Sequence, residues 1–304
     1  MPELPEVETI ARGLATRVSG DVIESVWLGQ KPEPLKSPAD EIAAALEHAR
    51  IITVRRVGKH IVFDLDRVNL DRVERALLPA KGRQRRGRAA LQGRVSPANS
   101  NGALATAQWI VHLGMTGRLQ VCDPHSEIAK HTHAILKLAS GRELRFVDPR
   151  RFGRLSVAVT SAFEAPGIEP LEATLDPFLT LFRGRKTPIK SALLNQKLLR
   201  GVGNIYADES LFRARIRPRR RASTITRDQL AALLASVKEV LREAIALGGS
   251  SISDYVDADG EEGFFQLQHR VYGREGEPCL VCKTPIKRIV IAGRSAHYCP
   301  RCQK

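Results

Sequence analysis

Apolar residues spaced three and four positions apart predict a helix at the start of the chain. The positions that share this spacing are Val7, Ile10, Ala11, Leu14 and Val18. Pro5 suits the first turn of such a helix, where its missing N–H needs no partner. Residues 38–49 show a shorter stretch with the same kind of spacing. The sequence therefore predicts two helices in its first fifty residues.

Short segments of alternating apolar and polar residues predict a series of strands. They are residues 22–27, 51–57, 59–65, 108–113, 134–138, 143–147 and 155–159. Many of these residues are β-branched, and turn residues separate the segments. Short strands with few helices between them favour an antiparallel sandwich or a flattened barrel.

The pattern becomes helical after a segment rich in Pro, Gly and Glu. The predicted helices are 177–183, 188–199, 205–214 and 228–247. The last begins with a capping box of Thr226 and Gln229, which together satisfy two free backbone amides. The chain is therefore α+β, an antiparallel β-sandwich with flanking helices followed by a helical region. We place the domains at 1–163, 177–264 and 265–304, with a linker at 164–176.

Residues 67–106 interrupt the strand pattern with a basic segment. It holds nine Lys or Arg residues against two acidic residues, a net charge of +7, and ends in a turn-rich sequence. A loop of this length inside a compact domain is uncommon, so we interpret it as an insertion at the tip of a hairpin. Both a solvated loop and weak contact with phosphates fit its composition.

The overall charge narrows the class of partner. The 304 residues include 48 Lys or Arg and 33 Asp or Glu, which gives a net charge of +15 and a pI near 10.1. Such an excess favours nucleic acid over a membrane surface, because no strongly basic amphipathic helix is present. No apolar run approaches the roughly 20 residues of a membrane span. Since no signal segment is recognisable either, we expect a cytoplasmic protein.

Four cysteines near the C-terminus have the spacing of a zinc site. Cys279-x-x-Cys282 and Cys299-x-x-Cys302 form two close pairs, each next to a predicted turn. Two such pairs suit tetrahedral zinc, whereas disulfides are rare in the cytoplasm. Four thiolates leave no open coordination position, so we predict one structural zinc ion.

The residues after Met1 have the chemistry of a covalent catalyst. Removal of Met1 would expose Pro2, whose secondary amine condenses with a sugar aldehyde to give a permanently charged iminium. That cation withdraws electrons from neighbouring carbons and promotes eliminations. Glu3 follows directly and can carry protons. Taken alone, the segment also fits an ordinary helix start.

Two predicted turns carry side chains that suit contact with DNA. Asp148-Pro-Arg-Arg-Phe-Gly153 places Phe152 near Arg150, so a ring can fill a base stack while a guanidinium binds a base edge. Met115 lies in a turn between two glycines, although a core position is the ordinary alternative for Met.

The segment Gly201-Val-Gly-Asn-Ile-Tyr206 lies between two predicted helices. Tyr206 occupies the third glycine position of a dinucleotide fingerprint and no strand precedes the segment, which excludes that motif. Asn204 would instead start a helix, either as a plain cap or as a phosphate site.

Together these segments resemble the bacterial formamidopyrimidine-DNA glycosylase family. The matching stretches are PELPEVE at 2–8, RRVGKH at 55–60, HLGMTGRL at 112–119, DPRRFG at 148–153, GVGNIYADESLF at 201–212, VYGREGEPC at 271–279 and the final cysteine pairs. They cover the chain except for 67–106. The resemblance implies a helix-two-turn-helix bundle and a zinc-finger hairpin after the sandwich.

The resemblance also implies a function. The expected enzyme is a monomeric, bifunctional hydrolase and lyase of base excision repair, associated with the bacterial nucleoid. It would excise 8-oxoguanine and formamidopyrimidines from damaged double-stranded DNA through a Schiff base on Pro2, then cut the strand by β- and δ-elimination. Glu3 and Lys59 are the other implied catalytic residues. Residues near 250–265 match a loop that closes over the lesion.

The implied DNA contacts fall into two groups. Met115, Arg150 and Phe152 would fill the gap left by the flipped base, with Arg150 facing the orphaned cytosine. The implied phosphate contacts are Lys190, Asn204 and Arg294. Glu6 and Tyr206 match positions near the pocket.

Two other classes remain open at this point. The endonuclease VIII branch shares the helical bundle and finger but acts on oxidised pyrimidines. A non-catalytic DNA-binding relative would keep the finger but lose Pro2, Glu3 or Lys59, all of which are present.

Overall fold

The computed structural model describes residues 1–31, 33–67, 107–159, 162–251, 257–258 and 260–304. The insertion predicted at 67–106 therefore lies almost entirely outside the described residues, as does part of the loop predicted near 250–265. The described residues combine antiparallel sheets with a helical bundle, so the predicted α+β class is confirmed.

Two four-stranded antiparallel sheets build the N-terminal half. The strands are β1 (Ile23–Leu28), β2 (Ala49–Val57), β3 (His60–Arg67), β4 (Ala107–His112), β5 (Arg118–Cys122), β6 (Thr132–Leu138), β7 (Glu143–Val147) and β8 (Arg154–Ala158). One sheet has the order β1–β6–β7–β5 and the other β2–β3–β4–β8. Phe63 pairs with Trp109 across β3 and β4, and their ring centroids lie 4.9 Å apart in the core. The predicted sandwich is thus present.

Helices flank the sheets and form the C-terminal half. They are α1 (Leu4–Val18), α2 (Ala39–Leu46), α3 (Leu175–Phe182), α4 (Ile189–Leu193), α5 (Asn204–Arg213) and α6 (Arg227–Ala246). A hairpin of β9 (Lys287–Ile291) and β10 (Arg294–Tyr298) follows. The Thr226 hydroxyl accepts the Gln229 amide at the start of α6, which confirms the capping box. Among the described residues, no helix has the length and apolar character needed to cross a bilayer.

Two elements differ from the sequence prediction. Strand β5 was not predicted, because it is an edge strand in which only Leu119 is buried and its alternation is weak. The helix predicted over 188–199 ends at Leu193. Local side-chain bonds stop it, since Asn195 Oδ1 accepts the Lys197 amide at 3.0 Å and Gln196 donates to backbone carbonyls. Asn and other short polar side chains favour such turns over a helix.

Helix α1 contributes to two hydrophobic cores. Its residues from Val7 to Val18 pack in the core of the sandwich, whereas Leu4 packs with the helices of the C-terminal half. The Leu4 amide also donates to the Gly201 carbonyl at 3.0 Å. Each buried apolar side chain of this size stabilises the fold by roughly 1.5–3 kcal/mol. The start of α1 is therefore fixed between the two halves.

Candidate active site and nucleic-acid interface

The carboxylate of Glu6 fixes the beginning of α1, where Pro2 and Glu3 are both buried. One oxygen of Glu6 accepts the Glu3 amide at 2.8 Å. The other accepts the Ser250 amide at 2.8 Å and the hydroxyl of Tyr206. These bonds come from three separate parts of the chain, so they hold the segment bearing Pro2 in one position.

Glu3 has the environment of a proton carrier. Its Oε1 is 3.4 Å from the amide nitrogen of Ile205, and its Oε2 is buried with no hydrogen-bond partner among the described residues. Burial raises the pKa of Glu3 to about 7, although the nearby cation of Lys59 opposes the shift. A carboxyl group with that pKa can both donate and accept a proton near neutral pH.

Lys59 lies in the turn between β2 and β3 and is only 8% exposed. Burial lowers its pKa, an effect that Glu3 and Glu6 oppose and the charge of Arg294 reinforces. Arg56 stabilises this turn by donating a hydrogen bond to the Gly58 carbonyl at 3.2 Å. The guanidinium of Arg56 is also paired with the buried carboxylate of Glu169. The predicted residues Glu3, Lys59 and Arg294 therefore lie close enough for their charges to interact.

Asp148 organises two loops that present exposed side chains. Its carboxylate accepts the Thr116 hydroxyl at 2.6 Å and the Gly153 amide at 2.7 Å, and it has no exposure to solvent. Sequence reasoning missed this role, although Asp148 stands in the recognised motif. A buried carboxylate that binds both loops keeps them in fixed register.

The side chains on these loops point to solvent, as the DNA-contact prediction requires. Met115 is 42% exposed and Phe152 is 51% exposed. The guanidinium of Arg150 stands 4.9 Å from the centroid of the Phe152 ring. An added Cβ on Gly114 would lie 2.5 Å from backbone atoms of Phe152 and Gly153, so the two loops pack too closely for any other residue there.

His112, which was not predicted as a site residue, supports the loop that carries Met115. Its Nδ1 accepts the Gly114 amide at 3.0 Å. Burial lowers the pKa of His112 to about 4, with smaller contributions from nearby cations including Lys59. The imidazole is therefore neutral at physiological pH and acts here as a hydrogen-bond acceptor.

Asn204 is the first residue of α5, as predicted, and Gly203 occupies the cap position. The Asn204 amide group donates to Ser295 Oγ at 3.2 Å, and its carbonyl oxygen is buried without a partner among the described residues. Burial raises the pKa of the Tyr272 side chain, an effect that Asn204 opposes. Sequence reasoning did not single out Tyr272, which sits in a quoted motif.

Lys190 does not fit the prediction of a direct phosphate contact. Its side chain has no solvent exposure, and its Nζ lies 2.6 Å from Asp208 Oδ1. The same nitrogen donates to the Ser295 carbonyl. The charge of Lys190 is therefore neutralised inside the protein, whereas Arg294 is exposed at the start of β10.

The four predicted cysteines meet at the end of the chain. Their sulfur atoms lie within 4.8 Å of one another, and none forms a disulfide. A zinc ion with Zn–S bonds of about 2.3 Å needs sulfurs roughly 3.8 Å apart, and the Cys279–Cys302 sulfur distance is 3.9 Å. The donor set fits one structural zinc ion.

Part of the loop predicted near 250–265 packs against α1. Ala258 is buried in the sandwich core, and an added Cβ on Gly13 would lie 3.2 Å from the Ala258 Cβ. The Ser250 amide, at the other end of the segment, bonds to Glu6. Both contacts join this segment to the helix that carries Pro2 and Glu3.

Three known domain families match consecutive parts of the chain. Residues 1–155 match the formamidopyrimidine-DNA glycosylase N-terminal domain. Residues 167–256 match the formamidopyrimidine-DNA glycosylase H2TH domain, and residues 276–304 match the zinc finger found in FPG and IleRS.

Proteins of known sequence and structure match over their whole length. The chain is 42% identical over 306 residues to a formamidopyrimidine-DNA glycosylase of Solibacter usitatus and 40% identical over 318 residues to one of Gluconobacter oxydans, with 100% of each chain covered. The MutM (Fpg) protein of Thermus thermophilus is 38% identical with a TM-score of 0.77, covering 99% of this chain and 98% of that one. A Lactococcus lactis Fpg mutant in complex with Fapy-dG DNA is 29% identical with a TM-score of 0.80, covering 100% of both.

Proposed function

The chain belongs to the formamidopyrimidine-DNA glycosylase family, and from this we propose how its own residues carry out the reaction. The protein is a base-excision DNA glycosylase with AP lyase activity that acts on damaged duplex DNA and carries a zinc finger. We propose that Pro2, Glu3 and Lys59 perform the chemistry. The observation that carries this proposal is the buried Glu3 carboxyl, with a pKa of about 7, next to Pro2, which removal of Met1 would turn into a terminal amine.

The first stage removes the damaged base. The Pro2 nitrogen attacks C1′ of the sugar, and the bond from C1′ to the base breaks with its electron pair. The departing base takes up a proton. The Pro2 nitrogen loses its N–H proton, and its lone pair then opens the sugar ring by breaking the bond from C1′ to the ring oxygen. That oxygen takes up a second proton, and C1′ becomes an iminium carbon bonded to Pro2. Glu3 is the buried carboxyl group placed to deliver protons, and Lys59, which interacts with Glu3, is the basic group placed to stabilise the developing anions.

The second stage cuts the strand. The iminium acidifies the C2′ proton, and its loss expels the 3′ phosphate. Loss of the C4′ proton then expels the 5′ phosphate by the same electron flow. Glu3 can accept these protons because its pKa lies near neutrality. Hydrolysis of the remaining iminium returns Pro2 to its free state.

Extrusion of the base requires groups that replace it in the helix. We assign this role to Met115, Arg150 and Phe152, because all three are exposed on loops fixed by Asp148. Arg150 would bind the base opposite the lesion. We assign phosphate contacts to Asn204, at the N-terminus of α5, and to Arg294.

We infer that the substrates are oxidised purines in bacterial DNA. The relatives solved with Fapy-dG and with carbocyclic 8-oxo-G in DNA support this class. Another Lactococcus lactis complex contains an oxidised pyrimidine, so pyrimidine lesions belong in the test. Because the substrate is chromosomal DNA, we place the enzyme in the bacterial cytoplasm, associated with the nucleoid.

Borohydride trapping tests the whole assignment. The purified enzyme is incubated with an 8-oxoguanine·C duplex and reduced, and the adduct is digested and sequenced by mass spectrometry. We expect one adduct on Pro2, none with Glu3→Gln, and wild-type yield with Glu24→Gln, an exposed carboxyl on β1. An adduct on a lysine would refute the role of Pro2. Faster excision of thymine glycol than of 8-oxoguanine would refute the purine preference.

A further inference from the structure

Seven basic residues to which no role is assigned above lie on two stretches of the helical half. We call them the basic ribbon: Arg183, Arg185, Lys186, Arg217, Arg219, Arg220 and Arg221. Six are exposed and Arg220 is half-buried. In the part of the chain that the structure describes, the ion pairs of neighbouring arginines involve Arg200, Arg213 and Arg227 but none of these seven.

Backbone hydrogen bonds bring the two stretches of the ribbon together. The Ser223 amide donates to the Arg185 carbonyl at 2.9 Å, and the Ile189 amide donates to the Arg220 carbonyl at 2.7 Å. Pro188 and Arg221 form an antiparallel bridge between these two bonds. Segments 185–189 and 220–223 therefore run side by side, and cations more than thirty positions apart in sequence share one surface.

The side chains of the ribbon are only partly used within the protein. Arg217 donates to the Pro300 carbonyl at 3.1 Å, Arg219 to Val290 at 3.5 Å and Arg220 to Thr224 at 2.8 Å. A guanidinium has five N–H donors, so most donors remain for another partner. Carbonyl groups also leave the positive charge unneutralised.

No exposed acidic residue lies between residues 177 and 227, the part of the sequence that contains the ribbon. From residue 177 to residue 227 the only acidic residues are Asp208 and Glu209, and both have zero exposure. Asp208 is paired with Lys190, and Glu209 accepts backbone amides such as that of Val271 at 2.9 Å. The exposed charges of residues 177–227 are therefore all positive, which raises the local concentration of an anionic partner.

The ribbon is continuous with the proposed phosphate contacts. Arg219 donates to the Val290 carbonyl at 3.5 Å, and Val290 pairs with Ser295 across the β9–β10 hairpin. Ser295 in turn receives the hydrogen bond from Asn204 and directly follows Arg294. A duplex bound at Asn204 and Arg294 would therefore have its backbone next to the ribbon.

We propose that the basic ribbon binds phosphates of the same DNA duplex outside the lesion. The charge complementarity and the continuity with Asn204 and Arg294 select this partner. The proposal rests on the proposed function only for the nature of the substrate, duplex DNA. Because the ribbon contacts phosphates and no base, it binds damaged and undamaged duplex equally. It also extends the length of DNA that contributes to affinity.

The test compares two triple variants with equal loss of charge. The ribbon triple is Arg183→Ser, Lys186→Ser and Arg221→Ser, residues that are exposed and form no side-chain hydrogen bond among the described residues. The control triple is Lys31→Ser, Lys137→Ser and Arg242→Ser, which are also exposed. Binding to undamaged duplex is measured at several salt concentrations. Each phosphate contact contributes about 0.9 to the slope of log K against log salt, so we expect the ribbon triple, which removes three cations, to lose up to about 2.7.

Duplex length and catalysis give the second readout. Wild type and control triple should bind a duplex of about three helical turns more tightly than one of about one turn, and the ribbon triple should lose most of that difference. Base release at saturating enzyme should be unchanged in the ribbon triple. Equal slopes for ribbon triple and wild type, equal losses in both triples, or slower base release at saturation would each overturn the proposal. Because undamaged DNA is the ligand, these results do not depend on whether Pro2 is the nucleophile.

Discussion

The ammonium nitrogen of Lys190 lies 2.6 Å from Oδ1 of Asp208, and neither side chain is in contact with bulk solvent. The second oxygen of Asp208 accepts the His297 amide at 2.9 Å, and Lys190 holds the carbonyl of Ser295. The pair thus fixes β10 from two sides and sets the position of Arg294, the neighbour of Ser295. A lysine expected on the DNA surface instead joins the helical bundle to the zinc-finger hairpin.

Asp208→Asn should destabilise the protein strongly. The substitution leaves the Lys190 charge buried without its counter-ion, which is expected to lower the free energy of unfolding by about 3–5 kcal/mol. The measurement is urea unfolding followed by circular dichroism. Asp176→Asn is the control, because Asp176 pairs with Arg227 at an exposed position, and its effect should stay below about 1 kcal/mol. Similar losses in both variants would contradict the buried-pair explanation.

Glu3 should make the stability of the protein fall as the pH rises. Its pKa is about 7 in the folded protein against 4.5 for an unperturbed glutamate. The folded state therefore binds the proton more tightly than the unfolded state between these values, so stability decreases from pH 4.5 to pH 7. The loss is roughly 3 kcal/mol. Glu3→Gln should be more stable than wild type at pH 8, with the difference shrinking towards pH 5, whereas Glu24→Gln should show no such trend. A pH-independent difference would argue against a raised pKa at Glu3.

Gly203→Ala should abolish base excision while leaving DNA binding largely intact. An added Cβ at this position would lie 2.1 Å from the Glu3 carboxyl carbon, so the carboxyl group must move. Single-turnover release of 8-oxoguanine is the measurement, with binding to an abasic-site duplex in parallel. Gly29→Ala is a suitable control, since its nearest contact would be an ordinary 3.5 Å. Unchanged excision in Gly203→Ala would mean that catalysis does not depend on the position of the Glu3 carboxyl group.

Arg150→Ala should weaken the preference for cytosine opposite the lesion. Loss of a bidentate base contact reduces discrimination by about 1–3 kcal/mol, or roughly 5-fold to 150-fold. Excision rates on 8-oxoguanine paired with C and with A give the ratio. Arg151→Ala removes a charge from the same turn, but Arg151 is paired with Glu33, so its ratio should match wild type. If the ratio of excision rates opposite C and A is unchanged in Arg150→Ala, Arg150 contacts phosphate and not the base opposite the lesion.

Removal of zinc should abolish specific DNA binding and leave the sandwich folded. The four cysteines hold the β9–β10 hairpin that carries Arg294, and structural zinc contributes about 10–16 kcal/mol in isolated fingers. Metal analysis should find one zinc per chain, and Cys279→Ser should reproduce the effect of a chelator. Cys122→Ser, at the unclustered cysteine, should change neither zinc content nor affinity. Full affinity in zinc-free protein would contradict a structural role for the metal.

The sequence predicted most elements, because burial leaves a periodic pattern in each. The apolar stripes of α1 and α6 are examples. Edge strand β5 buries one residue and carries little pattern. Helix α4 is cut short by side-chain bonds of Asn195 and Gln196 that periodicity does not register. The proposed domain boundaries stay a prediction.

The residues of the site were likewise predictable where their signal is local in sequence and not where it depends on tertiary contacts. Cysteine spacing predicted the metal cluster, since ligands on two tight turns must lie close in sequence. The chemistry of the residues after Met1 pointed to Glu3, and motif resemblance supplied Lys59; the proximity of these two residues depends on contacts between distant segments. The burial of Lys190 was not predictable, because its partner Asp208 stands eighteen positions away and looks like an ordinary helix residue. Nor does the sequence reveal that Asp148 ties two loops together.

The shared position of α1 limits how this enzyme can be re-engineered. Leu4 fills a site in the helical core while the rest of α1 completes the sandwich core. A chimaera joined at the linker would combine Leu4 of one parent with the helical core of another parent. This mismatched contact would lie close to Pro2, which bears the reacting amine. The two halves are thus not interchangeable modules, and recombination between distant relatives should preserve activity only when residues 1–8 and 196–206 come from the same parent.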